Sequence, residues 1–307
     1  MVPALTCQTF IISGLTVDVY SCPQLNTTHT TAKKRPLVVQ FLLHSAFSSS
    51  KKTRWVVESF FEKLAKKREV TQAEPADLLI VTFDHRNHGA RLVDQIANYP
   101  WSKIPERNND RHAIDMYAIE VGTALDACFL IDFLPSYLFP NNERVVSEWV
   151  IAGLSLGGHS AWIALARDRR FRVGIPIIGA ADYVSAITHI AKRSNIPMET
   201  PYFPDSLYES IKIYDPPCTS FDSPSPDNPF LGKKILAIYA EKDDLVPWAV
   251  SKDFFERLHV GDQGSKRAIV MEKVKHQVTP RMIDEWVGFV WDVSLRPAAE
   301  LTAISKL

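Results

Sequence analysis

Apolar positions along this chain follow two alternating patterns. Near-continuous runs of strand length occupy residues 37–43, 78–83, 149–152, 173–179, 235–239 and 268–274. Between them the spacing turns helical. Val57, Phe60, Phe61 and Leu64 mark one face of a helix over 56–67, and Ile114, Tyr117, Val121, Leu125 and Cys128 mark another over 114–134, which Pro135 is expected to close. Further helices are predicted over 160–167, over 248–258 and from Pro280 to 291, proline being favoured at first helical positions. Runs without polar alternation suit strands covered on both faces, so the order predicts an α/β fold with a mostly parallel, doubly wound sheet. Two short strands, 9–12 and 15–20, joined at Ser13-Gly14, predict an antiparallel hairpin at its edge.

The alternation breaks once, over 181–231, where eight of the 20 prolines fall. This predicts a lid inserted over the strand ends of a single domain spanning 1–307, with short helices near 183–192 and 207–213. Tyr202, Phe203, Tyr208 and Phe221 in it would either line an acyl or aromatic pocket or pack the lid onto the body.

Composition narrows the partners. Lys+Arg and Asp+Glu both total 35, a net charge of zero that offers nothing to nucleic acid or an anionic membrane. No apolar run reaches transmembrane length, and no basic segment precedes Lys33, so neither a span nor a secretory signal is expected. Cys7, Cys22, Cys128 and Cys218 are scattered with no Cys-x-x-Cys pair, which predicts reduced, mostly buried thiols rather than disulfides or structural zinc. Ser305-Lys306-Leu307 reads as a peroxisomal address, implying the import receptor as a partner and the peroxisome as location.

The candidate chemistry centres on residues 149–158, Trp-Val-Ile-Ala-Gly-Leu-Ser-Leu-Gly-Gly. Gly-x-Ser-x-Gly between a strand and a helix is a nucleophile-elbow pattern: Gly153 and Gly157 leave room for a sharp turn that lifts Ser155 clear of the strand. The helix that follows would aim its N-terminal N–H groups at a reacting carbonyl. A serine hydroxyl needs a base, and a histidine held by a carboxylate suits that task. Asp243 follows one later strand and His276 the last, giving the order Ser155, Asp243, His276, all beyond strand C-termini where open parallel sheets place their sites. Asp244 is the adjacent competitor for the acid. The loop His44-Ser45-Ala46-Phe47 follows an earlier strand, so the backbone N–H groups of Ala46 and Leu156 are the candidate oxyanion hole, with His44 orienting the loop. In Asp84-His85-Arg86-Asn87-His88-Gly89 a structural turn, with Asn87 left-handed, is expected over a metal site.

The whole chain resembles the α/β-hydrolase superfamily, in its peptidase- and esterase-like branch. Besides the elbow, Ala240-Glu241-Lys242-Asp243-Asp244-Leu245-Val246-Pro247 is similar to the family's Gly-x-x-Asp-x-x-Val-Pro, with Ala240 for Gly, and Lys275-His276 to Pro280 is similar to its Gly-His-x-x-x-Pro turn, with Lys275 for Gly. The loop after Phe83 resembles the family's Asp-x-Arg-Gly-His-Gly turn, with Asn87 for Gly. The resemblance implies a serine hydrolase that needs no metal or organic cofactor, and it does not fix the substrate. The leading reading is hydrolysis of a small-molecule acyl ester or thioester, and the peroxisomal address points to acyl-CoA thioesters or fatty acyl esters. Related peroxisomal hydrolases occur in fungal secondary-metabolite and toxin pathways. Acyl transfer on the same triad, or a retired hydrolase serving as a binding scaffold, are the alternatives. Epoxide hydrolase and dehalogenase chemistry is disfavoured, because those relatives carry Asp where this chain has Ser155.

Overall fold

The apolar runs form the sheet. The computed structural model describes residues 4–23, 25, 35–71 and 75–296. Its strands are β1 (Thr6–Ile12), β2 (Leu15–Ser21), β3 (Leu37–Leu43), β4 (Asp77–Phe83), β5 (Glu148–Leu154), β6 (Phe171–Ile177), β7 (Lys234–Ala240) and β8 (Ser265–Met271). They make one eight-stranded sheet in the order β1-β2-β4-β3-β5-β6-β7-β8. β2 pairs antiparallel with β1 and β4, and every other pairing is parallel. At the β1–β2 turn, Ser13 and Gly14 both take positive φ, which matches the twist of a two-residue hairpin.

Strands β2 to β7 feed two cores, because successive side chains point to opposite faces. On β3, Val38 and Leu42 pack with Val57, Phe60 and Phe61 of α1 (Arg54–Thr71) and Trp286 of α7 (Pro280–Val290). Val39, Phe41 and Leu43 face the other way, onto α2 (His112–Leu138) and α3 (Leu156–Arg167). Gln40 is the polar exception among these buried positions, and its side-chain oxygen accepts the Trp286 indole N–H at 3.2 Å. The indole N–H and the amide oxygen are thereby satisfied away from water, where an unpaired oxygen would cost about 1–3 kcal/mol, while the Gln40 NH₂ meets no protein acceptor among the described residues. The remaining α-helices among the described residues are α4 (Tyr183–Ser194), α5 (Asp205–Tyr214) and α6 (Ala249–Arg257).

Three local expectations differ. Pro135 does not close α2, which runs to Leu138; so near the end, the missing N–H costs a single bond, and the Pro135 carbonyl still accepts from the Phe139 N–H at 2.8 Å. β8 starts and ends three residues before the predicted run, because an edge strand with half-exposed residues shows no apolar block at its start. Cys22 is buried but Cys7 and Cys218 are exposed, since Cys7 lies on the outer hairpin strand; none of the four cysteines is in a disulfide.

The sheet positions the site through one topological feature. β4 lies on one side of β3 and β5 on the other, so connections leave in opposite directions from the C-terminal ends of β3 and β5. A crevice opens where strand order reverses in this way. The loop after β3 carries His44 to Phe47, and the turn after β5 carries Ser155.

Candidate active site

Ser155 sits between β5 and α3 with φ 52° and ψ −113°, a backbone conformation that non-glycine residues rarely adopt. Two close approaches hold it there. A Cβ on Gly153 would overlap the Gly157 carbonyl, and one on Gly157 would overlap the Leu43 carbonyl, so no other residue fits at either position without moving backbone. The Ser155 N–H donates to the Ile177 carbonyl at 2.8 Å, and the Gly157 N–H to the His44 carbonyl at 3.1 Å. The turn is therefore pinned to β6 on one side and to the loop after β3 on the other.

His276 and Asp243 arrive from the loops after β8 and β7. Ser155 Oγ lies 2.7 Å from His276 Nε2, and His276 Nδ1 lies 2.7 Å from Asp243 Oδ2. The other Asp243 oxygen accepts the Leu245 and Val246 N–H groups, both at 2.9 Å. Carboxylate oxygens accept, so Nδ1 carries the hydrogen and Nε2 offers its lone pair to the serine hydroxyl. The two loops are stitched together by Lys242 N–H to the Val274 carbonyl at 2.8 Å and by Lys273 N–H to the Glu241 carboxylate at 2.7 Å. Asp244 faces away. It offers its backbone carbonyl to His189, at 2.9 Å, and to Arg193.

The loop after β3 is set by a stack of imidazoles. His44 lies over His85 with ring centroids 3.8 Å apart; its Nδ1 donates to the Ser45 carbonyl at 2.7 Å and its Nε2 accepts the His85 N–H at 3.0 Å. Burial pulls the His44 pKa down to about 4, so the ring is neutral and keeps this arrangement. Asp84 accepts from Ser50 N–H at 2.8 Å and Ala90 N–H at 2.7 Å, and Asn87 takes φ 57°. The segment 84–89 is thus a hydrogen-bonded turn. Among the described residues, no cluster of His, Cys, Asp and Glu is arranged to hold a metal ion. Ala46 and Leu156 both border the space beside Ser155, and among the described residues neither N–H donates to a protein acceptor.

A cavity of about 140 Å³ opens beside Ser155. Tyr202, Phe203 and Tyr208 do not line it. Tyr202 and Phe203 pack on Trp101, with ring centroids 6.4 and 5.8 Å away, and Tyr208 packs against Phe203 at 6.5 Å. They hold the 181–231 segment to the body, because the faces of α4 and α5 that meet the body need apolar cover of their own. The cavity wall comes instead from α4, through Tyr183, Ile187 and Ile190, and from the α2 stripe His112, Met116 and Glu120. His159, one turn into α3 from Ser155, completes it. Burial, with a smaller push from Asp215, raises the Glu120 carboxyl well above the usual carboxylate range. Burial and then His276 lower His159 to about 3. These polar groups escaped the sequence reading. The available signals were the i, i+4, i+8 spacing of 112, 116 and 120 and the position of His159 four residues after Ser155. Ser305, Lys306 and Leu307 lie outside the described residues.

A search of curated proteins finds no match. Among solved structures, the chain is similar to TT1662 from Thermus thermophilus, at 18% identity and a TM-score of 0.63, covering 94% of this chain and 98% of that one. It is similar to Est1E from Butyrivibrio proteoclasticus, a structure with ferulic acid bound, at 15% identity and a TM-score of 0.53, covering 93% and 98%. It is also similar to the acylaminoacyl peptidase of Pyrococcus horikoshii, at 13% identity and a TM-score of 0.58, where 96% of this chain corresponds to only 42% of the peptidase. At these identities the likeness is one of fold. The sequence model of the prolyl oligopeptidase family matches residues 136–292, just over half of the chain and the part that holds Ser155, Asp243 and His276. On that match the chain belongs to the prolyl oligopeptidase family, and it is a hydrolase of the α/β-hydrolase fold.

Proposed function

We propose that this hydrolase cleaves a small carboxylic ester or thioester through an acyl-enzyme on Ser155. The observation that carries this reading is the unbroken chain of two 2.7 Å hydrogen bonds from Ser155 Oγ through His276 to Asp243. Ser155 Oγ attacks the substrate carbonyl carbon as His276 Nε2 takes its proton. The carbonyl oxygen becomes an oxyanion between the free N–H groups of Ala46 and Leu156, at the positive end of α3. The intermediate collapses, the alcohol or thiol leaves with the proton from His276, and the acyl group stays on Ser155. Water then attacks with His276 as base, and the carboxylic acid is released.

Cavity size supports a small acyl group. A space of about 150 Å³ accommodates benzene, so about 140 Å³ beside Ser155 suits a short chain or a single ring rather than a long fatty acyl tail. An acyl-CoA substrate is then a short-chain one, its carrier outside. We take 181–231 as a cap whose α4 forms part of the cavity wall. A panel of p-nitrophenyl esters, thioesters and aminoacyl anilides tests the reading. Esters and thioesters of two to eight carbons should dominate kcat/KM. The family match favours a second reading, amide cleavage, and anilides turned over faster than any ester would establish it instead.

The tripeptide Ser305-Lys306-Leu307 supports a peroxisomal place of action, which accords with acyl-thioester chemistry. A fluorescent protein fused ahead of the whole chain should collect in peroxisomes and become diffuse when these three residues are removed. A diffuse intact fusion removes the location without touching the chemistry.

A further inference from the structure

The cavity beside Ser155 is apolar over most of its wall, through Met116, Ile187, Ile190 and Val246. One part is not. Glu120 is 2% exposed, borders the cavity, and makes no hydrogen bond to any described protein group. Its Oε1 lies 3.8 Å from His159 Nδ1, beyond hydrogen-bond reach. The His159 tautomer is set from behind: the Ala180 N–H donates to Nε2 at 3.4 Å, so Nδ1 carries the hydrogen and faces Glu120. A carboxyl buried without a partner is costly to keep, and α2 fills the neighbouring positions Val121 and Ala124 with apolar side chains.

We infer that Glu120 and His159 form a polar subsite that selects an acyl group carrying a hydroxyl a few carbons from the scissile carbonyl. A single oxygen about 2.8 Å from each of two atoms 3.8 Å apart fits between them with ordinary hydrogen-bond lengths. A hydroxyl can accept from His159 Nδ1–H and donate to a Glu120 oxygen at once. The cavity holds the acyl side of the substrate because Ser155, Ala46 and Leu156 line it and His276 does not; the leaving atom must stay beside His276 to receive its proton. His159 stands one helical turn from Ser155, ~5.4 Å along α3, which places the hydroxyl on the order of four bonds from the carbonyl. Charged alternatives fit less well. No Lys or Arg lines the cavity to meet a carboxylate, and burial favours the uncharged forms of both Glu120 and His159 over an ion pair with an ammonium group.

The inference rests on the acyl-enzyme reading, and the test separates the two. Purified full-length protein is given N-acetylcysteamine thioesters of butanoic, pentanoic and hexanoic acids, each with and without a hydroxyl at carbons 3 to 6, and parallel aminoacyl thioesters. The quantity read is the kcat/KM ratio of each hydroxylated substrate to its parent. The best hydroxyl isomer should exceed its parent by on the order of 100-fold or more, since a site built around a hydroxyl discriminates strongly against its absence. Glu120→Gln keeps a donor and an acceptor and should retain most of that ratio; Glu120→Leu should bring it near one. Wild-type protein that labels at Ser155 with a fluorophosphonate yet shows no hydroxyl preference overturns the subsite and leaves the hydrolase. A preference for aminoacyl chains that Glu120→Gln abolishes overturns it in favour of a cation site. Failure to label Ser155 overturns the underlying mechanism instead.

Discussion

Ser155→Ala should lower kcat on the hydrolase's best ester by on the order of 10⁴- to 10⁶-fold, with the fold retained. In the proposed mechanism the loss is large because Oγ is the atom that forms the acyl-enzyme. Ser160, also on α3, is fully buried and its hydroxyl donates to the Leu156 carbonyl at 3.3 Å, so it cannot take over. What survives comes from the Ala46 and Leu156 N–H groups and from substrate binding, which still favour a water attack modestly. Alanine has the same β-carbon as serine, so the strain at φ 52° is unchanged and the melting temperature should move little. Steady-state kinetics on the purified variant, with circular dichroism as the folding check, decide the matter. Near wild-type turnover from a folded Ser155→Ala protein would falsify the mechanism.

Asp243→Asn should cost about 10⁴-fold in kcat, whereas Asp244→Asn should stay within a few-fold of wild type. The asymmetry follows from the hydrogen bonds at Asp243. Its Oδ1 is held by two backbone N–H groups, from Leu245 and Val246, which only an oxygen can satisfy. An asparagine would therefore keep its oxygen there and turn its NH₂ toward His276 Nδ1. That forces the hydrogen onto Nε2, pointing it at Ser155 Oγ, and the base can no longer accept the serine proton. At position 244 the groups that His189 and Arg193 contact belong to the backbone, so changing the side chain leaves them in place. Parallel kcat measurements on both folded variants rank the two acids. If Asp244→Asn is the more damaging, the acid has been misassigned.

The elements that the sequence foretold share a property: their signals are local. The runs at 37–43, 78–83 and 235–239 become β3, β4 and β7 because each is buried on both faces and needs no partner to declare it. Where burial is one-sided the signal weakens. β8 is an edge strand, and its start is invisible in the pattern of apolar residues. The same contrast runs through the site. Gly153, Ser155 and Gly157 lie within one turn whose sterics the neighbouring residues alone impose, so the elbow was legible. Tyr202, Phe203 and Tyr208 were not. An aromatic side chain near a site packs or binds according to what lies opposite, and here Trp101, a hundred residues away in sequence, lies opposite two of them.

The sequence by itself determined the parallel α/β architecture, the elbow, and the order of serine, acid and histidine, because hydrophobic period and glycine sterics act over a few residues. Only the tertiary structure shows which of Asp243 and Asp244 hydrogen-bonds His276. The two are chemically identical neighbours, and the choice depends on which carboxylate the loop after β7 turns toward the loop after β8, a matter of backbone bonds such as Lys242 to Val274. It also decided what the cavity is made of. Glu120 looks like one acidic residue in a long helix until α2 packs beside α3 and sets it opposite His159, and contacts across that distance in sequence leave no periodic trace.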